Sequence, residues 1–267
     1  MSETRTTASA TVAATPAPGP RVGLASAIAA VAAGQLGRVR VARGPLLVVA
    51  TVQSLGLVIL LRGIVHHHDS RTASAIVAGS AVLVVAFVSL NLLAQRLGAL
   101  RATTALDYYA ALPIPPAAVV LGTAAAYGLF TLPGAVVTAS VGAAVYGLPF
   151  GQIWLVVPVV LASALVLAGT GAILGLSMPR PELATIAGQL GMTVVLFLGI
   201  ITPARLPDAV QALRDIVPGT LAVDALAEAF RVHPHWGGVI IRLLITVGYG
   251  AVTLAVASRL FRRAVDR

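Results

Sequence analysis

Six apolar blocks of about twenty residues each dominate this sequence, and a block of that length is what an α-helix needs to cross a hydrocarbon core about 30 Å thick. Lipid offers the backbone no hydrogen-bond partners, so a spanning segment must satisfy its amides internally, as a helix does. Composition agrees: 58% of the 267 residues are hydrophobic and 10% are charged. A water-soluble domain carries about 25% charged residues. The chain is therefore expected to be all-α, a polytopic membrane protein with six transmembrane helices. The spans read as Pro45 to Gly63, Ser74 to Gln95, Ala117 to Val145, Gln152 to Leu176, Leu183 to Ala204 and Gly238 to Leu260.

Residues 1–20, rich in Ser, Thr, Ala and Pro, read as a disordered cytoplasmic tail, because such a composition cannot bury a core. Residues 21–44 are expected to form an interfacial amphipathic helix. Leu24, Ile28 and Val31 fall at helical spacing, and Arg38, Arg40 and Arg43 face lipid headgroups. Arg21 followed by an apolar stretch has the form of a signal peptide. The twenty residues before it and the three arginines directly after it argue against that reading. Residues 45–267 then make up the six-span domain. With the N-terminus inside, twelve arginines lie in cytoplasmic segments and five in outer ones, a bias that places both termini in the cytoplasm.

Several function classes are excluded by what the chain lacks. All 18 basic residues are arginine, and a standard P-loop needs a lysine to reach the phosphates of a bound nucleotide. A net charge of +9 carried mostly at the ends of spans describes topology, so no nucleic-acid partner is expected. Without cysteine there is no disulfide and no thiolate metal site. His66-His67-His68 with Asp69 reads as a solvated outer turn, since adjacent histidines converge poorly on one ion; no metal and no catalytic residue is expected. None of the nine acids lies near the centre of a span, which argues against an ion-coupled carrier, and none has the spacing of H-E-x-x-H. The polar groups within spans are mild: Gln53, Asn91, Gln95, Thr123, Thr131, Thr170, Gln189 and Thr193. They read as interhelical hydrogen bonds, with the lining of a substrate path as the alternative. Gly171 and Gly175 form a GxxxG that points to close helix packing, and Arg62 and Arg242 are placed to snorkel toward headgroups.

Two segments stand out from this background. Leu97, Leu100, Thr104, Tyr108 and Leu112 recur at three- and four-residue steps, which predicts an amphipathic cytoplasmic helix stopped by Pro113, Pro115 and Pro116. With Tyr108 and Tyr109 adjacent, it suits docking into a groove on a soluble partner; the plain alternative is a loop helix at the interface. The second segment is Arg205 to Gly237. Val210, Leu213 and Val217 share one face of a short helix, and Pro218-Gly219 breaks it. A second helix, Thr220 to Arg231, places Leu221, Ala222, Ala225, Leu226, Ala229 and Phe230 on one face and Asp224, Glu228 and Arg231 on the other. Both are too short to span, so they are expected to form a re-entrant helical hairpin at the outer surface.

In these segments the chain resembles the membrane subunits of type-2 ABC transporters (the ABC-2 permease family), over about Arg38 to Arg263. Leu106-Asp107-Tyr108-Tyr109-Ala110-Ala111-Leu112-Pro113 is similar to the family's coupling-helix region. Thr131-Leu132-Pro133-Gly134 resembles a pattern of one bacterial branch. Leu206-Pro207, Pro218 and a last span ending in Phe261-Arg262-Arg263 fit the C-terminal half. Thr104-Ala105 departs from the Gly-Thr often found before the coupling leucine, and Asp224 and Glu228 stand in a region where the family often has an arginine. The resemblance implies a permease subunit of an ATP-driven exporter of a drug-like, lipid or polymer substrate in a bacterial cell membrane. It implies a separate ATP-binding subunit that holds ATP and Mg, a second permease copy or a sister permease, and no cofactor in this chain. Leu100, Asp107, Tyr108, Tyr109 and Leu112 would form the coupling helix, and Leu213, Leu221 and Phe230 the outer re-entrant helices. A non-ABC membrane scaffold or a secondary carrier is the alternative.

Overall fold

The structure, a computed structural model, describes residues 23–64, 70–103, 114–200, 210–211, 214, 217, 219–231 and 234–265, with only the backbone of 38–43 and Ile64. Every regular element among them is helical. Helix α1 is Leu24–Ile64. Helix α2 (Ser70–Val85), a π-helical segment (Ala86–Leu92) and α3 (Leu93–Ala102) follow one another as a single rod. Helix α4 is Pro116–Tyr146; a short 3-10 turn, Phe150–Leu155, leads into α5, Val156–Ser177. Helix α6 is Pro181–Ile200, α7 is Thr220–Ala229 and α8 is Trp236–Val265.

Six of these helical stretches are long and apolar enough to cross a membrane. Their ends overshoot the sequence-based spans: the second continues to Ala102 rather than Gln95, and the last to Val265 rather than Leu260. Apolar composition marks only the part inside the hydrocarbon, whereas a helix continues for as long as its backbone bonds do. Pro116 opens α4 at a position where its missing amide costs nothing. Gly147, at φ 67°, closes it with a left-handed cap whose amide bonds to the Ala143 carbonyl.

The interfacial helix and first span expected on either side of Pro45 are two arms of one helix. At 41 residues, α1 is about 61 Å long, roughly twice the thickness of a hydrocarbon core. Val31 packs on Gly122 of α4, and Leu47 and Thr51 pack on Gly134. Those contacts span about 18 Å of α4 but about 27 Å of α1, so α1 changes course between them. Pro45, which cannot donate to the ladder, lies in that stretch.

The second span is the axis of the bundle. Of its most apolar window, 94% is buried, against 17% for the first span and 22% for the last. Helices α4, α5 and α6 surround the rod, α1 lies mainly along α4, and α8 lies along α5. Burying a rod on all sides in lipid requires close backbones, because lipid tails supply no hydrophobic drive between helices. Gly171 and Gly175 supply them. A Cβ on Gly171 would stand 2.5 Å from the Leu90 carbonyl oxygen, and one on Gly175 2.5 Å from that of Ala94.

Helix α7 packs among α2, α5, α6 and α8. Thr220, Ala222, Val223, Ala225, Leu226, Glu228 and Ala229 are buried. Leu221, assigned to the apolar face, lies instead on the less buried stripe with Asp224 and Ala227, as spacing of three along a helix dictates. The first arm of the expected hairpin, Leu213 included, falls largely outside the described residues.

Candidate functional site

Three places in the bundle carry chemistry. The first is a row of amides in mid-span. The π-helical segment widens one turn of the central rod, and three glycines make room for it: Gly171 on α5, and Gly188 and Gly191 on α6. Would-be Cβ atoms on the last two meet Asn91 and Leu90 respectively. π-Bulges of this kind recur at functional sites. Here the bulge carries Asn91, whose Nδ2 donates to Gln189 Oε1 at 3.2 Å, while Gln95 Nε2 donates to Asn91 Oδ1 at 3.0 Å. Asn91 is buried, but Gln189 is exposed on the outward face of α6 with Ile186, Leu190, Val194 and Phe197. An amide on an apolar membrane face is costly unless a partner or a polar path lies against it. The Gln95–Asn91 spacing of four was visible in the sequence; the partnership with Gln189, 98 residues away, required the register of α6.

The second place is the end of the bundle where α3 stops and α4 starts. Arg101 Nη1 donates to the carbonyls of Leu176, at 2.5 Å, and Met178, at 3.1 Å. This clamps α3 to the C-terminal end of α5, where a cation also meets the negative end of the helix dipole. A Cβ on Gly98 would lie 2.7 Å from the Ala184 Cβ, so α6 joins the same clamp. Leu97, Leu100, Val119, Val120 and Phe261 belong to one buried cluster. Leu100, a candidate for the coupling helix, is thus 6% exposed within this chain's own core and is not on a free face. Asp107, Tyr108, Tyr109 and Leu112 lie outside the described residues, as does the polar turn His66-His67-His68. What the structure places is the frame: the connection of residues 104–113 leaves from Thr103 and returns at Ile114, and both flanking helices are anchored in that cluster.

The third place is the opposite end, around α7. Arg214 is 2% exposed. Its Nη1 and Nη2 donate to Asp224 Oδ2 and Oδ1 at 2.8 and 2.5 Å, and its Nε donates to the Leu198 carbonyl at 2.9 Å. Thr220 Oγ1 donates to the Arg214 carbonyl at 2.6 Å. One side chain therefore ties the end of α6 to the middle of α7. Glu228 accepts from the His235 amide at 3.3 Å and pairs with Arg231 at 2.7 Å, holding the approach to α8. Phe230 is 1% exposed in the core, and Leu221 is half-buried. In the sequence Arg214 is one of the five arginines counted in outer segments, and nothing local shows that it will meet an acid ten residues on.

Comparison with curated proteins gives no match. The family model for ABC-2 type transporters matches residues 32–230, about three quarters of the chain. The matched range takes in the rod with its amides, the clamped end and the whole of α7. Members of this family are multi-pass membrane components of ABC transporters that generally work with an ATP-binding subunit. On that match, and on a bundle of six membrane-length helices, this chain belongs to the ABC-2 type transporter family and is a permease component of an ABC transporter.

Proposed function

We propose that this chain is one of two permease copies, or pairs with a sister permease, in an exporter of the bacterial cell membrane, with both termini in the cytoplasm. Its substrate is of drug-like, lipid or polymer class. A separate ATP-binding subunit docks on the segment 104–113, with Tyr108 and Leu112 as the buried anchors, Tyr109 beside them and Asp107 paired to a base on the partner. ATP and Mg are held by that subunit.

The observation that carries this reading is the frame around the segment. Its two flanking helices meet in one buried cluster through Leu97, Leu100, Val119 and Val120, and Arg101 adds the end of α5. A push on the connection therefore reaches three spans at once. Leu100 then acts as a relay inside the chain while the partner grips the residues beyond it. At the far end, α7 and its Leu221 and Phe230, together with Leu213, close the path. The exposed face of α6 carrying Gln189 meets the second copy or the substrate path.

The test is the double substitution Tyr108→Ala/Leu112→Ala in membranes that also contain the ATP-binding subunit. Losing an aromatic anchor at such a contact costs about 2 kcal/mol or more. The expected result is normal membrane insertion with weakened co-purification of the subunit and loss of substrate-stimulated ATP hydrolysis. Undiminished binding and coupled hydrolysis in the double variant would sink the proposal.

A further inference from the structure

The π-helical segment interrupts a rod whose two halves are both held. Arg101 fixes the end of α3 to the Leu176 and Met178 carbonyls, and α2 is packed among α1, α4, α6 and α7. Erasing the bulge would require one half to turn against the other by about 100°, the angle one residue takes up in an α-helix. Moving the bulge along the rod requires no such turn, because only the residues it passes are re-aimed.

Two observations point to such a move and to its direction. The first is the hydroxyl of Ser89, which lies inside the π segment, is fully buried and has no hydrogen-bond partner. Thr123, Ser163, Thr170 and Ser258 show where a hydroxyl on these helices goes: each donates to the carbonyl four residues earlier. For Ser89 that carbonyl belongs to Val85, and π bonding, which runs to the fifth residue, breaks the spacing of four. Ser80 and Thr138 also lack partners, but on regular helix, so the π turn accounts for Ser89 only. A buried hydroxyl left unmet is a cost that another arrangement can relieve.

The second observation is what flanks the segment. Toward α3 the glycine wall continues for another turn. A Cβ on Gly175 would stand 3.0 Å from the Leu97 Cβ, and one on Gly188 3.3 Å from the Ala94 Cβ. Toward α2 the rod instead shares a buried cluster with Leu167, Met192 and Val195. A widened turn passes glycine backbone more readily than close-packed side chains.

We propose that the bulge migrates about one turn toward α3, giving the rod two arrangements. In the one seen here, Asn91 holds Gln189 and Ser89 is unmet. In the other, residues 85–89 are regular α-helix, Ser89 donates to the Val85 carbonyl, and Asn91 is turned away from Gln189. One hydrogen bond is exchanged for another while both ends of the rod stay in place. The use of the move, to release the Gln189 amide on the outward face of α6 during transport, rests on the proposed function; the move itself does not.

The test is hydrogen–deuterium exchange on the full chain, purified in detergent without an ATP-binding subunit, so the docking of that subunit has no bearing on the result. A migrating bulge opens the amides it passes, so residues 93–96 are expected to exchange at least tenfold faster than the buried stretch 76–85. Ser89→Ala removes the bond gained in the move and should slow 93–96 at least twofold. Gln189→Leu removes the bond given up, from an exposed position on another helix, and should speed 93–96 at least twofold. General loosening would not give opposite signs. Protection of 93–96 equal to that of 76–85 in the wild type, or shifts of the two variants in the same direction, or no shift in either, would overturn the migration.

Discussion

Arg214 and Asp224, in the middle of α7, face each other as a two-pronged ion pair, with the arginine almost fully enclosed and also bonded to the Leu198 carbonyl at the end of α6. Removing one partner of such a pair strands the other charge, at a cost of about 3–5 kcal/mol. Arg214→Ala and Asp224→Ala should each lower the unfolding midpoint of the purified protein sharply. The double substitution Arg214→Met/Asp224→Leu should recover much of the loss, since apolar replacement of both partners removes the stranded charge. Additive losses in the double variant would show that the pair is not the unit that holds α7.

The glycines around the π-helical segment lead to a second expectation. A Cβ on Gly171 would press on the Leu90 backbone, which cannot swing aside. Gly171→Ala should therefore destabilise by about 1–3 kcal/mol, the usual range for overpacking. Gly56→Ala is the control, because nothing lies within 4 Å of its would-be Cβ. Denaturant or thermal unfolding of the two variants side by side measures the difference; equal stability would mean that the rod is not packed backbone to backbone at Leu90.

The amide row should matter more to activity than to folding. Interhelical hydrogen bonds within membranes contribute about 0.6 kcal/mol on average. Asn91→Leu should shift stability by less than about 2 kcal/mol. If the α6 face lines the path, the same variant should change substrate-stimulated hydrolysis several-fold or more. Large destabilisation with unchanged activity per folded molecule would make Asn91 a packing residue only.

Orientation rests on the arginine bias and can be read directly. Reporter fusions after Arg267 and within residues 66–70 are expected on opposite sides of the membrane, the first in the cytoplasm. A matching signal from both positions would remove one span from the topology.

Length and hydropathy alone determined the number of spans and the all-helical class, because lipid leaves an apolar segment of that length one way to satisfy its backbone. Gly171 and Gly175 were legible as a packing motif, since small residues four apart face one neighbour. The order of motifs from Leu106 to Phe261 was enough for the family, and the match over residues 32–230 agrees. The tertiary structure decided which span stands at the centre, because all six are similarly apolar and only packing on every side distinguishes the second. It turned α1 into one bent helix, since Pro45 interrupts the hydrogen-bond ladder without ending the helix. It also sank α7 into the bundle. A helical wheel sorts residues by polarity, but Asp224 and Glu228 could enter because Arg214 and Arg231 wait there, and a partner distant in sequence is decided by the fold alone.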